Sequence, residues 1–162
     1  MGLFEHLINK VKSKYYKDLS NEEKIKPLVI WGNVDDFLNE YYKIPNINLS
    51  DKKEHLNIKN TMRHIVGASI LAQEYPFDKA QEILDIKEKG DYWREKTGFG
   101  YKPKFSEKYY MDNLIDKENN NIGLNFGKNN PNAALKEIMD FAYSHATDKT
   151  KVNPYNYFDF LE

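Results

Sequence analysis

Cysteine is absent from this chain of 162 residues, so disulfides and every thiolate-based metal or redox chemistry are excluded. The compartment stays open, because a cysteine-free chain suits the cytosol and also suits an exported protein. Long hydrophobic runs are absent too. The longest, Ile65 to Ala72, is far short of the roughly 20 residues that a membrane-spanning helix needs. No apolar signal-peptide core is found near the N-terminus, which predicts a soluble chain, cytoplasmic or exported without a cleavable signal peptide. Gly2 is followed by His6 where a myristoylation signal wants Ser or Thr. An excess of either charge is lacking as well: 24 Lys plus Arg against 25 Asp plus Glu leave a formal net charge of −1. Broad binding to a phosphate backbone requires a basic face, so no nucleic acid is expected as partner.

Aromatic residues, by contrast, are plentiful, with 12 Tyr and 9 Phe. Usage rich in Lys, Asn, Ile and Tyr fits an AT-rich genome of bacterial or phage type. The length is that of one domain, and folding at this size buries about 70% of the open chain's surface.

Helix punctuation recurs along the chain. Residues 2–18 place Phe4, Leu7, Ile8, Val11 and Tyr15 on one face and lysines on the other. That pattern also admits contact with a membrane surface, although packing onto its own domain is the commoner use of such a helix. Ser20 followed by Glu23 is a capping box that opens a second helix reaching about Tyr42, with Gly32-Asn33 as a candidate break. Ser50 and Asp51 offer caps for a third helix over 51–74, stopped by Pro76. A fourth starts after Asp78 and ends near Gly90 or Gly98. Ser106 caps a fifth that runs to about Lys128, and Pro131 suits the first position of a sixth that ends near His145. No strand alternation of useful length is found. The expectation is an all-α fold, a single domain over 1–162. It comprises five to seven helices around a central apolar one, with room for a short hairpin near 97–105 and an irregular aromatic tail at 150–162.

Two polar groupings interrupt this framework. Arg63-His64 begins the apolar run, and His64 shares a helical face with Gly67, Ala68 and Leu71, which leaves space beside the imidazole for a backbone or a ligand. Farther on, Asp112, Asp116, Asn119, Asn120, Gly123 and Gly127 recur at spacings of three to four. A helix would gather them on one face, with Ile115, Ile122 and Phe126 on another. A solvated turn is the rival reading. A calcium loop fails, because its sixth position is Asn121 instead of Gly and its twelfth is Gly127 instead of Glu.

Arg63-His64 on an apolar helix, followed some fifty residues later by Asp116-x-x-Asn119-Asn120-x-x-Gly123, resembles a group of small bacterial helical domains of unassigned function. These occur in polymorphic-toxin, secreted-effector and phage-encoded settings. The resemblance spans residues 58–127 and implies an acidic residue between the two motifs. Glu88, Asp91 and Glu95 all qualify, and Glu95 is the preferred choice.

Two functions follow. In a small hydrolase, His64 is the general base, Asp116 orients it or holds a metal, and Asn119 or Asn120 polarises developing charge. Arg63, with Asp112 and Glu95, binds substrate, the guanidinium taking an anionic group. No nucleophile signature exists, so water is the nucleophile; no cofactor and no dedicated metal-ligand set is expected. In a protein-binding or inhibitory module, the same residues form a structural hydrogen-bond network. Aromatic segments from Tyr92 to Tyr101 and from Tyr155 to Phe160 then meet a protein partner.

Overall fold

The Ser20–Glu23 capping box forms as its spacing demands. Glu23 N–H donates to Ser20 Oγ at 3.2 Å, and Ser20 N–H donates to the Glu23 carboxylate at 2.8 Å. The computed structural model describes residues 19–41, 49–97, 107–148 and 150, with the helical path but not the side chains described at 49–56, 89–97 and 107–112. Five helices are described: α1 (Asn21–Tyr41), α2 (Leu49–Glu74), α3 (Phe77–Thr97), α4 (Glu107–Asn129) and α5 (Leu135–Thr147). No strand occurs among the described residues, and the fold is all-α. Segment 2–18, the hairpin position and the aromatic tail lie outside them.

α1 runs unbroken through Gly32-Asn33, contrary to the break considered there. Ile30, Val34 and Leu38 are buried on either side and hold the helix against its neighbours, which outweighs the low helix propensity of one glycine. Gly32 itself is exposed, and a Cβ added there would meet nothing within 4 Å. Gly32→Ala is therefore expected to stabilise the fold by about 0.5–1 kcal/mol, the propensity difference between these residues in a helix interior. A thermal melt with unchanged or lower midpoint would refute that.

α2 is central, touching each of the other four helices. Met62, Ile65, Val66, Ala68 and Leu71 are fully buried, as an apolar run without a polar face requires. The helix stops at Glu74 two residues before Pro76, and α3 begins directly after that proline. α1 lies antiparallel to α2: Lys26 pairs with Glu74, Trp31 covers Gly67, Asp35 faces Arg63 and Asn39 accepts from Lys59.

α4 crosses α2 closely. A Cβ at Gly123 would lie 2.3 Å from the Ile65 carbonyl oxygen, and one at Gly127 would lie 2.2 Å from that of Ser69. The Ser69 hydroxyl bridges the crossing, 2.7 Å from Ile65 O and 3.0 Å from Gly123 O. α5 starts at Leu135 instead of Pro131. Pro131 occupies a turn closed by Ala133 N–H on Asn130 O at 3.1 Å. Proline's fixed φ serves the second residue of a turn as well as the first residue of a helix. Gln73 of α2 holds this turn by donating to the Asn130 and Ala133 carbonyls, each at 3.0 Å.

Candidate functional site

α4 passes through Asn119, Asn120 and Asn121 as uninterrupted helix, so the turn and calcium-loop readings of this stretch give way to a polar helical face turned toward α2. Helical spacing then brings Asp116 and Asn120 to opposite edges of one imidazole. His64 Nδ1 lies 3.0 Å from Asn120 Oδ1, and Nε2 lies 3.0 Å from Asp116 Oδ1. The second contact is an ion pair at hydrogen-bonding distance.

The ring is sealed, only 1% exposed, while the Asp116 side chain keeps 15% exposure. Asp116 Oδ1 itself is buried, so whatever exposure the residue has lies elsewhere on its side chain. Asp116 is thus the outer member of the pair. Burial disfavours the imidazolium, but the Asp116 carboxylate, with Glu88 behind it, outweighs burial and holds His64 above the usual histidine range. Burial alone would raise Asp116. The facing imidazolium outweighs it, Lys87 and Arg63 add to the effect, and the carboxyl sits below its ordinary range. Both shifts favour the imidazolium–carboxylate form of the pair.

Of the three acidic residues that the resemblance allows, Glu88 is the one whose side chain is described; those of Asp91 and Glu95 lie outside the described residues. Glu88 is 2% exposed and accepts from Asn120 Nδ2 and from Lys87 Nζ, both at 3.0 Å on the same oxygen. Glu88 continues the buried stripe of Ala80 and Leu84 at four-residue spacing. Glu95 and Asp112 lie on α3 and α4 where side chains are outside the described residues.

Asn119 is buried beside the cluster with its Nδ2 unpartnered, and it joins neither His64 nor Asp116. Arg63 donates to Asn60 Oδ1 at 3.0 Å and stands 3.9 Å from Asp35, with 38% of its side chain exposed. So loose a surface pair is worth under about 1 kcal/mol and leaves the guanidinium largely available.

The space expected beside the imidazole is filled. Trp31 meets His64 edge-on at 6.5 Å between centroids, and its six-membered ring lies 2.8 Å from where a Gly67 Cβ would be. Lys87 Nζ sits 5.5 Å over that indole. Trp31, Lys87 and Glu88 are the residues of this centre that sequence reasoning missed or ranked low. Trp31 is reached only by a contact between helices distant in the chain. A groove of about 340 Å³ between α1, α2 and α5 contains none of the sequence-predicted site residues. Its charges, Lys26 and Glu74, pair with each other. Among the described residues no three His, Asp or Glu side chains converge as a metal ion would need. No described helix is long and apolar enough to cross a membrane. No protein-family model matches the chain, and no curated protein or solved structure shows significant similarity to it.

Proposed function

We propose that the chain is a small hydrolase of bacterial-effector or phage-accessory type, with the His64–Asp116 pair as its proton-transfer centre and water as the attacking nucleophile. The observation that carries this reading is the asymmetric mounting of His64. Nδ1 is anchored on the buried amide of Asn120, while Nε2 faces the outer, partly exposed carboxylate of Asp116. Perturbed acid–base pairs gather at functional sites. The resting pair holds one shared proton. His64 enters as general acid toward a leaving group, reaching it through Asp116, and the emptied pair then takes the proton of the attacking water. Arg63, exposed on the adjoining face of α2, supplies the cation for an anionic substrate group.

A panel of chromogenic ester, phosphodiester, amide and glycoside substrates tests this. Wild-type protein is expected to turn over one class. His64→Gln and Asp116→Asn should each lose at least about 100-fold in kcat while retaining the helical circular dichroism signal. A folded His64→Gln variant with full activity would overturn the proposal, as would wild-type protein inert toward every class.

The 1% exposure of His64 favours a second reading, a protein-binding or inhibitory module in which the network only fixes how α2, α3 and α4 pack. That reading expects the same variants to lose stability while partner binding by the folded fraction is unchanged.

A further inference from the structure

The geometry points to Glu88 as the positioning residue of this centre: through Asn120 it forces a hydrogen onto Nδ1 of His64 and so leaves Nε2 as the nitrogen that faces Asp116. The chain of reasoning is one of donors and acceptors. Glu88 Oε1 receives Lys87 Nζ and Asn120 Nδ2, both at 3.0 Å, so it acts there as an acceptor. An amide has one donor end and one acceptor end. With Nδ2 committed to Glu88, the carbonyl Oδ1 is what reaches His64 Nδ1, at 3.0 Å. Two acceptors cannot satisfy each other, so Nδ1 carries the hydrogen.

Were the Asn120 amide turned over, its N–H would face Nδ1 and its oxygen would face Glu88 Oε1, an acceptor against an acceptor in a site 2–3% exposed. An unsatisfied buried pair of that kind is disfavoured strongly enough to hold one amide orientation. Glu88 is itself held in place: its own carbonyl accepts from Asn113 of α4 at 3.3 Å, and Lys87 fixes its carboxylate from the same helix. α3 thereby sets the protonated nitrogen of a histidine on α2, with α4 supplying the intermediate amide. The consequence for catalysis rests on the hydrolase reading. The assignment of the hydrogen does not.

Long-range proton–nitrogen correlation spectra of labelled protein read the two ring nitrogens of His64 directly. Wild-type protein is expected to show Nδ1 bearing hydrogen throughout pH 5–8. Glu88→Gln should keep it, because the glutamine oxygen accepts the same two donors. Glu88→Ala and Asn120→Ala, which release or remove the amide, should shift the neutral ring toward hydrogen on Nε2. If either alanine variant fails to fold, the other and the wild-type spectrum still decide. A wild-type Nδ1 without hydrogen overturns the inference, and so does an Nδ1 hydrogen undisturbed in the neutral ring of a folded alanine variant, at a pH above the His64 titration. In turnover, Glu88→Ala should lose at least tenfold in kcat and Glu88→Gln should recover most of it. Spectra that respond while turnover does not would retire the hydrolase reading and leave the role of Glu88 standing.

Discussion

Asp116→Asn is expected to destabilise the protein by about 3 kcal/mol near pH 5.5 and by much less once pH has risen through the raised pKa of His64. The physical reason is the sealed imidazole. Removing one partner of a buried ion pair leaves an uncompensated charge, an effect of about 3–5 kcal/mol where burial is complete. Partial exposure of Asp116, at 15%, places this pair at the low end. His64 has its pKa raised, so its contribution is fully present below its ordinary value of 6.5 and is lost as pH rises through the raised value. Asp116 has its pKa lowered, so its contribution is present above its ordinary value of 3.8 and is lost as pH falls through the lowered one.

The two limits bracket a window of full effect from about pH 4 to pH 6.5. Asp116 from α4 and Glu88 and Lys87 from α3 act on the ring, and Arg63 acts on Asp116; the Glu88 carboxylate is engaged by Asn120 and Lys87 instead of Nε2. A 3 kcal/mol loss corresponds to a fall in Tm of roughly 6–12 °C for a chain of this size. Thermal melts of wild type and Asp116→Asn at pH 5.5, and at a pH where ring-nitrogen spectra show His64 neutral, decide the matter. An equal loss at both values would mean that packing, not the charge pair, is what the carboxylate supplies.

Much of this centre could be read from spacing because its parts obey local rules. Asp116, Asn120, Gly123 and Gly127 share a face by helical geometry alone, and His64 sits on an apolar run that had to be central. The capping box at Ser20 and the stop before Pro76 involve neighbours in the chain, and both took the expected form. What failed needed long-range information. Glu88 meets Asn120 only because α4 approaches α3, a contact between helices that local spacing does not reveal. Gly67 looked like space for a ligand, yet Trp31 from α1 occupies it. The surroundings of His64 were not legible either, because protonation depends on what closes around the ring, here Asp116 on one edge and Asn120 on the other. Pro131 illustrates the opposite limit: a residue whose local preference is clear but compatible with two structures.

The same crossing that assembles the site predicts a larger loss when Gly123 and Gly127 are both replaced by Ala. Each Cβ would stand 2.2–2.3 Å from a carbonyl oxygen of α2, Ile65 for the first and Ser69 for the second. Real Cβ atoms do not approach backbone oxygens so closely, and a backbone carbonyl, unlike the end of a flexible side chain, has nowhere to turn. The helices must separate. Alanine favours an isolated helix by about 1 kcal/mol per site, so α4 alone would gain while the fold loses. Overpacking a tight contact costs about 1–3 kcal/mol or more per position, and here it also stretches the Ser69 bridge to Gly123 O, the His64–Asn120 hydrogen bond and the His64–Asp116 contact. The double variant is therefore expected to lose about 4 kcal/mol net, and either single variant about 2. Chemical denaturation measures the loss. His64 spectra supply the second readout, since separated helices should release Nδ1 from Asn120 in any variant that still folds. A double variant as stable as the wild type, with the His64 spectrum unmoved, would mean that α2 and α4 do not cross at this distance.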